Sequence, residues 1–398
     1  VGYKQWLVGK AHGYVTLGEM LGDRFDSTAL RGLIAGVSLL WLFPYVMLQQ
    51  IGAGQALVGL TNGAVPYWAG AAMITVFMIA YVGLSGLRGV AWTDTLQGVF
   101  MLGVIWLAVA WVASAAGGVS ALTAGMTDAA PAFASLGGGL YSPQWMIAQA
   151  VVIAFGVAAF PQVNQRFFMA DRVETLKRSF ALWPVLVLLL FVPAFLLGSW
   201  AVGLGIQVPD GSNVLPLLLN EYTPAWFAAL VIAGALAAMM SSSDSMLLSG
   251  SSYFTRDIYR PFVAPDASDE REAWIGRVGV AVFAASTFLA SLLVGGGGGL
   301  DVLVTLGDTA FGGYAQLTIP LLLALYWSGT TEWGMLAGVA TAEVAYLAHV
   351  FLPLPATYLS WDFALWCMLL SLLATVAVST VTASAPAANA EKFGVGAD

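Results

Sequence analysis

Ala238, Ser241, Ser242 and Ser245 fall three or four positions apart inside an apolar run. On a helix that spacing places them on one face. The run extends over residues 226–250, and about 20 apolar residues suffice to cross a bilayer. Polar groups at such a depth are costly, so hydroxyls beside the carboxylate of Asp244 are expected to face protein. A row of hard oxygens on one face suits a small hard cation, and sodium is the expected occupant. The competing reading is that each serine bonds back to its own helix or to a neighbouring one.

Further chemistry is scattered along the chain. Residues 145–169 contain Gly156 and Pro161, followed by Gln162, Asn164 and Gln165. Pro161 removes a backbone hydrogen bond and clashes with the preceding turn, which predicts a kink or break near residues 159–160. Backbone groups freed at a break are used by transporters to hold ions and solutes. Asp94 lies at the start of an apolar segment, where a helix N-terminus favours a carboxylate and capping is the simpler role. Asp308 and Glu343 are acids inside apolar segments. Gln49, Gln50 and Gln55 stud the first long segment, where amides often join helices. Gln50 is a candidate solute contact.

The elements that must carry these groups are membrane helices. The chain has 398 residues, 59% hydrophobic and 9% charged, with mean hydropathy +0.84. Ordinary soluble domains are about 25% charged. Long continuous apolar runs exclude a β-barrel, whose strands alternate. The reading is an all-α polytopic membrane protein with about ten transmembrane helices. They run over residues 31–60, 67–87, 91–115, 145–169, 180–204, 224–250, 274–294, 302–327, 333–351 and 361–381. Turn signals separate them at Asn62-Gly63, Gly117-Gly118, Gly137 to Gly139, Pro209-Asp210-Gly211 and Gly295 to Gly299.

Charge placement tests this count. Numbering the loops alternately puts all 14 Lys and Arg residues on one side. Asp128, Asp210, Glu221, Asp301 and Asp362 fall on the other. The positive-inside rule makes the basic side cytoplasmic. It places residues 1–30, a lead-in without a signal-peptide apolar core, and residues 383–398 in the cytoplasm of a multi-pass cell-membrane protein. No loop is long enough for a soluble domain. The single cysteine, Cys367, excludes an internal disulfide, and two histidines are too few for a zinc cluster. A net charge of −8 and a pI near 4.7 argue against nucleic acid.

Four segments taken in order resemble the sodium:solute symporter family. They are HGYVTLGEMLGDRF from His12, GLSGLRGVAWTDTLQG from Gly83, GALAAMMSSSDSMLLSGSSYFTRDIY from Gly234, and LALYWSGTTEWGMLAG from Leu323. The resemblance implies a leucine-transporter-type fold, an inverted-repeat helical bundle around a midplane site. Residues 31–115 would supply the last three helices of the first repeat and residues 145–327 the second. Residues 333–382 would be two peripheral helices. The first core helices would be missing, which makes the chain an N-terminally truncated member.

The resemblance also implies site residues. Sodium would be held by the Ala238 carbonyl and the Ser241 and Ser242 hydroxyls, with Asp94 assisting from the cytoplasmic side. Gly156, Val157, Pro161 and Gln162 of the broken helix would meet the solute. Ile153, Gly156 and Val157 stand where sugar- and proline-carrying relatives place aromatics, which disfavours a sugar and also proline, and favours a small organic acid, another amino acid or a vitamin-like carboxylate. Transport of this kind needs no cofactor; sodium is the coupling ion. A proton-coupled transporter or a solute sensor on the same fold is the alternative, with Asp308 or Glu343 as the residues to suspect. An intramembrane hydrolase would need a serine and His349 within hydrogen-bond reach. Their expected depths do not meet, so the chain is read as no enzyme.

Overall fold

The computed structural model describes residues 1–131, 142–209, 212–295, 301–383 and 387–394. The backbone is almost entirely helical, as the apolar runs require: with no water to bind, a spanning segment must satisfy its peptide groups internally. Among the described residues, 8 helices are long and apolar enough to cross a membrane. A bent pair adds a ninth span. The shorter apolar stretch Tyr67–Gly83 completes the ten expected from sequence. The turn signals at Gly137 to Gly139, at Asp210-Gly211 and at Gly296 to Gly299 lie outside the described residues.

Two helices precede the first span. These are α1 (Gly2–His12) and α2 (Leu17–Phe25), joined through Gly13 in the left-handed region. The expected lead-in is therefore folded and docked: Gln5 donates to Asn164, both buried, at 2.6 Å. Helix α3 (Thr28–Leu60) is capped by Ser27, whose hydroxyl accepts from the Leu30 amide. It ends at the predicted Asn62-Gly63 turn, where both residues take positive φ.

Helix α4 (Tyr67–Ala115) is continuous over 49 residues where the sequence predicts two spans. A straight rod of that length would reach about 73 Å, more than twice the hydrocarbon thickness. The chain instead folds back on itself. The Tyr81 and Thr93 hydroxyls share a hydrogen bond, although twelve residues of straight helix would separate them by about 18 Å. Both ends return to the same side: Tyr67 donates to the Ser291 carbonyl, and Trp111 stacks on Phe227. The two predicted spans are present, joined by helical backbone rather than by a loop.

Two predicted outer loops carry short helices, α5 (Val119–Ala129) and α9 (Val214–Tyr222). Between them come α6 (Pro143–Ala159), α7 (Pro161–Met169) and α8 (Val173–Gly203). Helix α10 (Ala225–Phe254) passes without interruption into a π-helix, Thr255–Val263. Then follow α11 (Asp269–Val294), α12 (Asp301–Tyr326) and α13 (Glu332–Phe351). A two-residue hairpin, β1 (Thr357–Tyr358) with β2 (Trp361–Asp362), leads to α14 (Phe363–Val381) and α15 (Ala387–Lys392).

Helices α3 and α10 run antiparallel through the centre. Gly250 abuts Leu42 and Gly52 abuts Met239, which sets their register. One apolar cluster joins α2, α3, α12, α13 and α14. A second joins the latter half of α4 to α8, α9 and α10.

Candidate cation and solute site

The bend predicted at Pro161 falls at Phe160, where α6 and α7 meet at 56°. Phe160 is extended because the residue before a proline is pushed out of the helical region. The Asn164 side-chain amide then donates to the Ala158 and Phe160 carbonyls, capping backbone groups that the break set free. This rigid corner aims α7 across the inner half of α10.

The serine face of α10 divides into three behaviours. Ser241 donates to the Ala238 carbonyl at 3.0 Å, so two of the three expected sodium ligands are adjacent oxygens. Ser243, Ser249 and Ser252 likewise bond back to their own helix. Ser242 is half-buried and makes no hydrogen bond among the described residues. Ser245 bonds across helices. It accepts from Arg166 Nη2 at 2.7 Å and donates to Asp94 Oδ2 at 3.2 Å.

Arg166 Nη2 also reaches the same Asp94 oxygen at 2.8 Å. Three residues from α4, α7 and α10 thus close a triangle one helical turn from Ser241. Asp94 pairs with Arg166 and Ser245 and does not touch Ser241 or Ser242 directly. A cavity of about 100 Å3 opens beside the triangle, lined by Gln162, Gln165, Arg166, Asp94 and Ser245 among others. Gln162 and Asp94, named separately from sequence, come together here.

Asp244, expected with the serines to face protein, is given no ligand role by the sequence. Its side chain is 0% exposed, and neither carboxylate oxygen has a partner. An unpaired carboxylate in such a place is strongly disfavoured, so the group either holds a proton or meets a cation. Arg166 is likewise given no role by the sequence. The signal for both was available: ionisable residues inside apolar segments.

Other expected solute contacts are engaged elsewhere. Gln50 lies level with Ser241 by the α3–α10 register, but its amide donates to Thr75 Oγ1 and to the Ala284 carbonyl, both at 3.0 Å. It joins α3 to α4 and α11, the helix-joining role. Gly156 is pressed against α12: a methyl group there would stand 2.5 Å from the Phe311 carbonyl oxygen. That position serves helix packing. Val157 lines a larger apolar groove of about 630 Å3 between α6, α7 and α8, with Arg166 at its edge. Pro161 is buried as the first residue of α7.

The remaining acids stand apart. Glu343 on α13 accepts from the Trp41 indole at 2.8 Å. The backbone carbonyl of Asp308 accepts from Tyr346. His349 stacks on Phe363 with ring centroids 4.5 Å apart, far from the serines, and no serine–histidine pair forms among the described residues.

Comparison with known proteins gives a consistent picture. The model of the Sodium:solute symporter family matches residues 4–341. The chain is 28% identical to the sodium/pantothenate symporter of Escherichia coli (strain K12), over 98% of this chain and 79% of that protein. It is 26% identical to a monocarboxylate transport permease protein of Rhizobium johnstonii, over 81% of this chain and 67% of the relative. The high-affinity proline transporter PutP of Bacillus subtilis is 27% identical over 83% and 69%. A solved structure of a Na+-coupled sialic acid symporter in a substrate-bound outward-open state superposes with a TM-score of 0.76, covering 97% of this chain and 84% of that one. Its sequence is 20% identical.

Proposed function

The chain belongs to the sodium:solute symporter family, and we propose that it couples sodium entry to uptake of a small organic solute bearing a carboxylate. The relatives named for pantothenate, monocarboxylate and proline support that solute class. One observation carries the site assignment. The Ala238 carbonyl, the Ser241 hydroxyl and the uncommitted Ser242 hydroxyl share a face of α10, one turn from the Ser245–Asp94 contact and close in sequence to the buried Asp244 carboxylate.

Sodium enters between these oxygens, drawn by the field of Asp94 and Asp244. The ion is cargo and coupling partner, and no cofactor takes part. The Asp94–Arg166–Ser245 triangle ties α4, α7 and α10 together on the inner side of the ion. For sodium to leave inward, these three helices must separate. Arg166 then gives up Asp94, which stands on the exit route as a temporary partner for the ion. The break at Phe160 lets α7 move without dragging α6. The solute lies on the side of the break where Gln162 faces the polar cavity, and Arg166 supplies the charge for a carboxylate.

The driving force is sufficient. Moving one charge through 100 mV contributes about 2.3 kcal/mol. A tenfold sodium gradient adds about 1.4 kcal/mol. Together they support accumulation of a neutral solute by roughly several hundredfold with one sodium. The end carrying Arg24, Arg31, Arg166 and Arg256 is cytoplasmic in this reading, and the membrane is the cell membrane.

The test is uptake of radiolabelled monocarboxylates, amino acids and pantothenate into proteoliposomes holding the full-length gene product, with sodium or potassium outside. Sodium-dependent accumulation of one of these carboxylates is the expected result. Accumulation that ignores sodium but follows a proton gradient overturns the coupling assignment.

A further inference from the structure

Arg24 departs most from ordinary burial rules. Its side chain is 1% exposed, yet Nε, Nη1 and Nη2 all lack a hydrogen-bond partner. The guanidinium lies 5.1 Å from the Phe25 ring centroid and 5.7 Å from that of Phe393. Those rings engage the cation without satisfying its N–H donors. A buried guanidinium with idle donors is costly unless an anion is close.

A cleft lies beside it. It has a volume of about 400 Å3 and is lined by Tyr3, Lys4, Tyr326, Lys392 and Phe393 among others. Phe393 is the shared wall between the cleft and Arg24. The Lys4 ammonium stands 4.6 Å over the Tyr326 ring and has no acidic partner among the described residues. Burial, and then the neighbouring Arg24 charge, pull the Lys4 pKa down. Lys392 pairs with Asp23 at 3.4 Å, both partly exposed. Lys4 and Lys392 line the cleft, no acid lines it among the described residues, and the Arg24 charge lies behind Phe393. The volume falls in the range of small-molecule sites.

We propose that the cleft between α1, the end of α12 and α15 binds a phosphate group, gripped by Lys4 and Lys392 over the charge of Arg24. A phosphate offers several strong acceptor oxygens to converging cations. The cleft also sits at the basic end of the molecule, where anionic headgroups gather at a membrane surface. The group is carried either by an anionic phospholipid or by a soluble ion.

The experiment uses the purified chain in mixed micelles containing phosphatidylglycerol or phosphatidylcholine, with a third arm of millimolar inorganic phosphate in phosphatidylcholine. Lipid retention is read by native mass spectrometry and thermal protection by tryptophan fluorescence. Phosphatidylglycerol is expected to be retained and protective, with retention falling roughly tenfold in the Lys4→Gln/Lys392→Gln variant. Protection by inorganic phosphate, lost in the same variant, assigns the group to a soluble ion. Protection in neither arm, or undiminished binding by the double variant, overturns the proposal. Arg24→Gln should abolish binding if it folds; the lysine pair, being exposed in part, decides the matter if it does not.

Discussion

Two buried acidic centres show how differently the same residue type can be employed. Asp94 meets an arginine, a serine and a polar cavity, and Asp244 lies buried without a partner on the same helix as that serine. Around Glu343, one carboxylate meets the Trp41 indole within a cluster of aromatic and aliphatic side chains. Both lie in apolar segments, and both read as functional candidates by residue type alone. Their surroundings separate them. Both keep buried oxygens without a partner, Glu343 Oε1 included; the first has a half-exposed arginine and space beside it, the second a fixed donor and close packing. The first kind of acid has room and a partner that can leave, which the proposed ion route needs; the one bonded to an indole ties α3 to α13.

The comparison is tested most strongly at Asp94. Asp94→Asn should lower sodium-driven uptake by about tenfold, equivalent to roughly 1.4 kcal/mol. The fold should persist, because Arg166 is more than half exposed and such a pair contributes about 1 kcal/mol or less to stability. Wild-type uptake kinetics would reduce Asp94 to a helix-end carboxylate. Next comes Ser242→Ala, which should raise the sodium concentration for half-maximal uptake about fivefold, the loss of roughly 1 kcal/mol of ligation. Thermal stability should not change, since Ser242 makes no hydrogen bond to lose. Unchanged sodium dependence would remove it from the site.

At the other centre the readouts should reverse. Trp41→Phe leaves a buried carboxylate without its donor and should cost about 1–3 kcal/mol of stability, measured by thermal unfolding in detergent. The sodium requirement should stay as it was. Smallest of all is Glu343→Gln, which keeps an acceptor for the indole and removes a buried charge. Stability should move by about 0.5 kcal/mol or less in either direction. If this variant instead abolishes coupling, Glu343 carries ions and the contrast between the two centres collapses.

Parts of this architecture were legible one segment at a time. The ten spans follow from apolar run length, and the break at Phe160 follows from Pro161. The grouping of Ala238, Ser241, Ser242 and Ser245 follows from helical periodicity. The docking of residues 1–25 was not legible, because Gln5 finds Asn164 across 159 positions. Nor were the short helices α5 and α9 distinguishable from loops. Gln50 and Gly156 were expected to meet solute, yet they face neighbouring helices; polarity and small size do not reveal direction.

What the chain determined by itself is therefore additive. The cost of placing a charge or a peptide group in hydrocarbon is incurred residue by residue, so composition and charge order specify spans and gather the basic residues at one end. What tertiary structure alone decided is partnership. Asp94, Arg166 and Ser245 are 72 and 79 positions apart, and nothing local tells Arg166 which acid to meet. Only the packing of α4, α7 and α10, with the corner at Phe160, brings these charges together and leaves Asp244 buried without a partner.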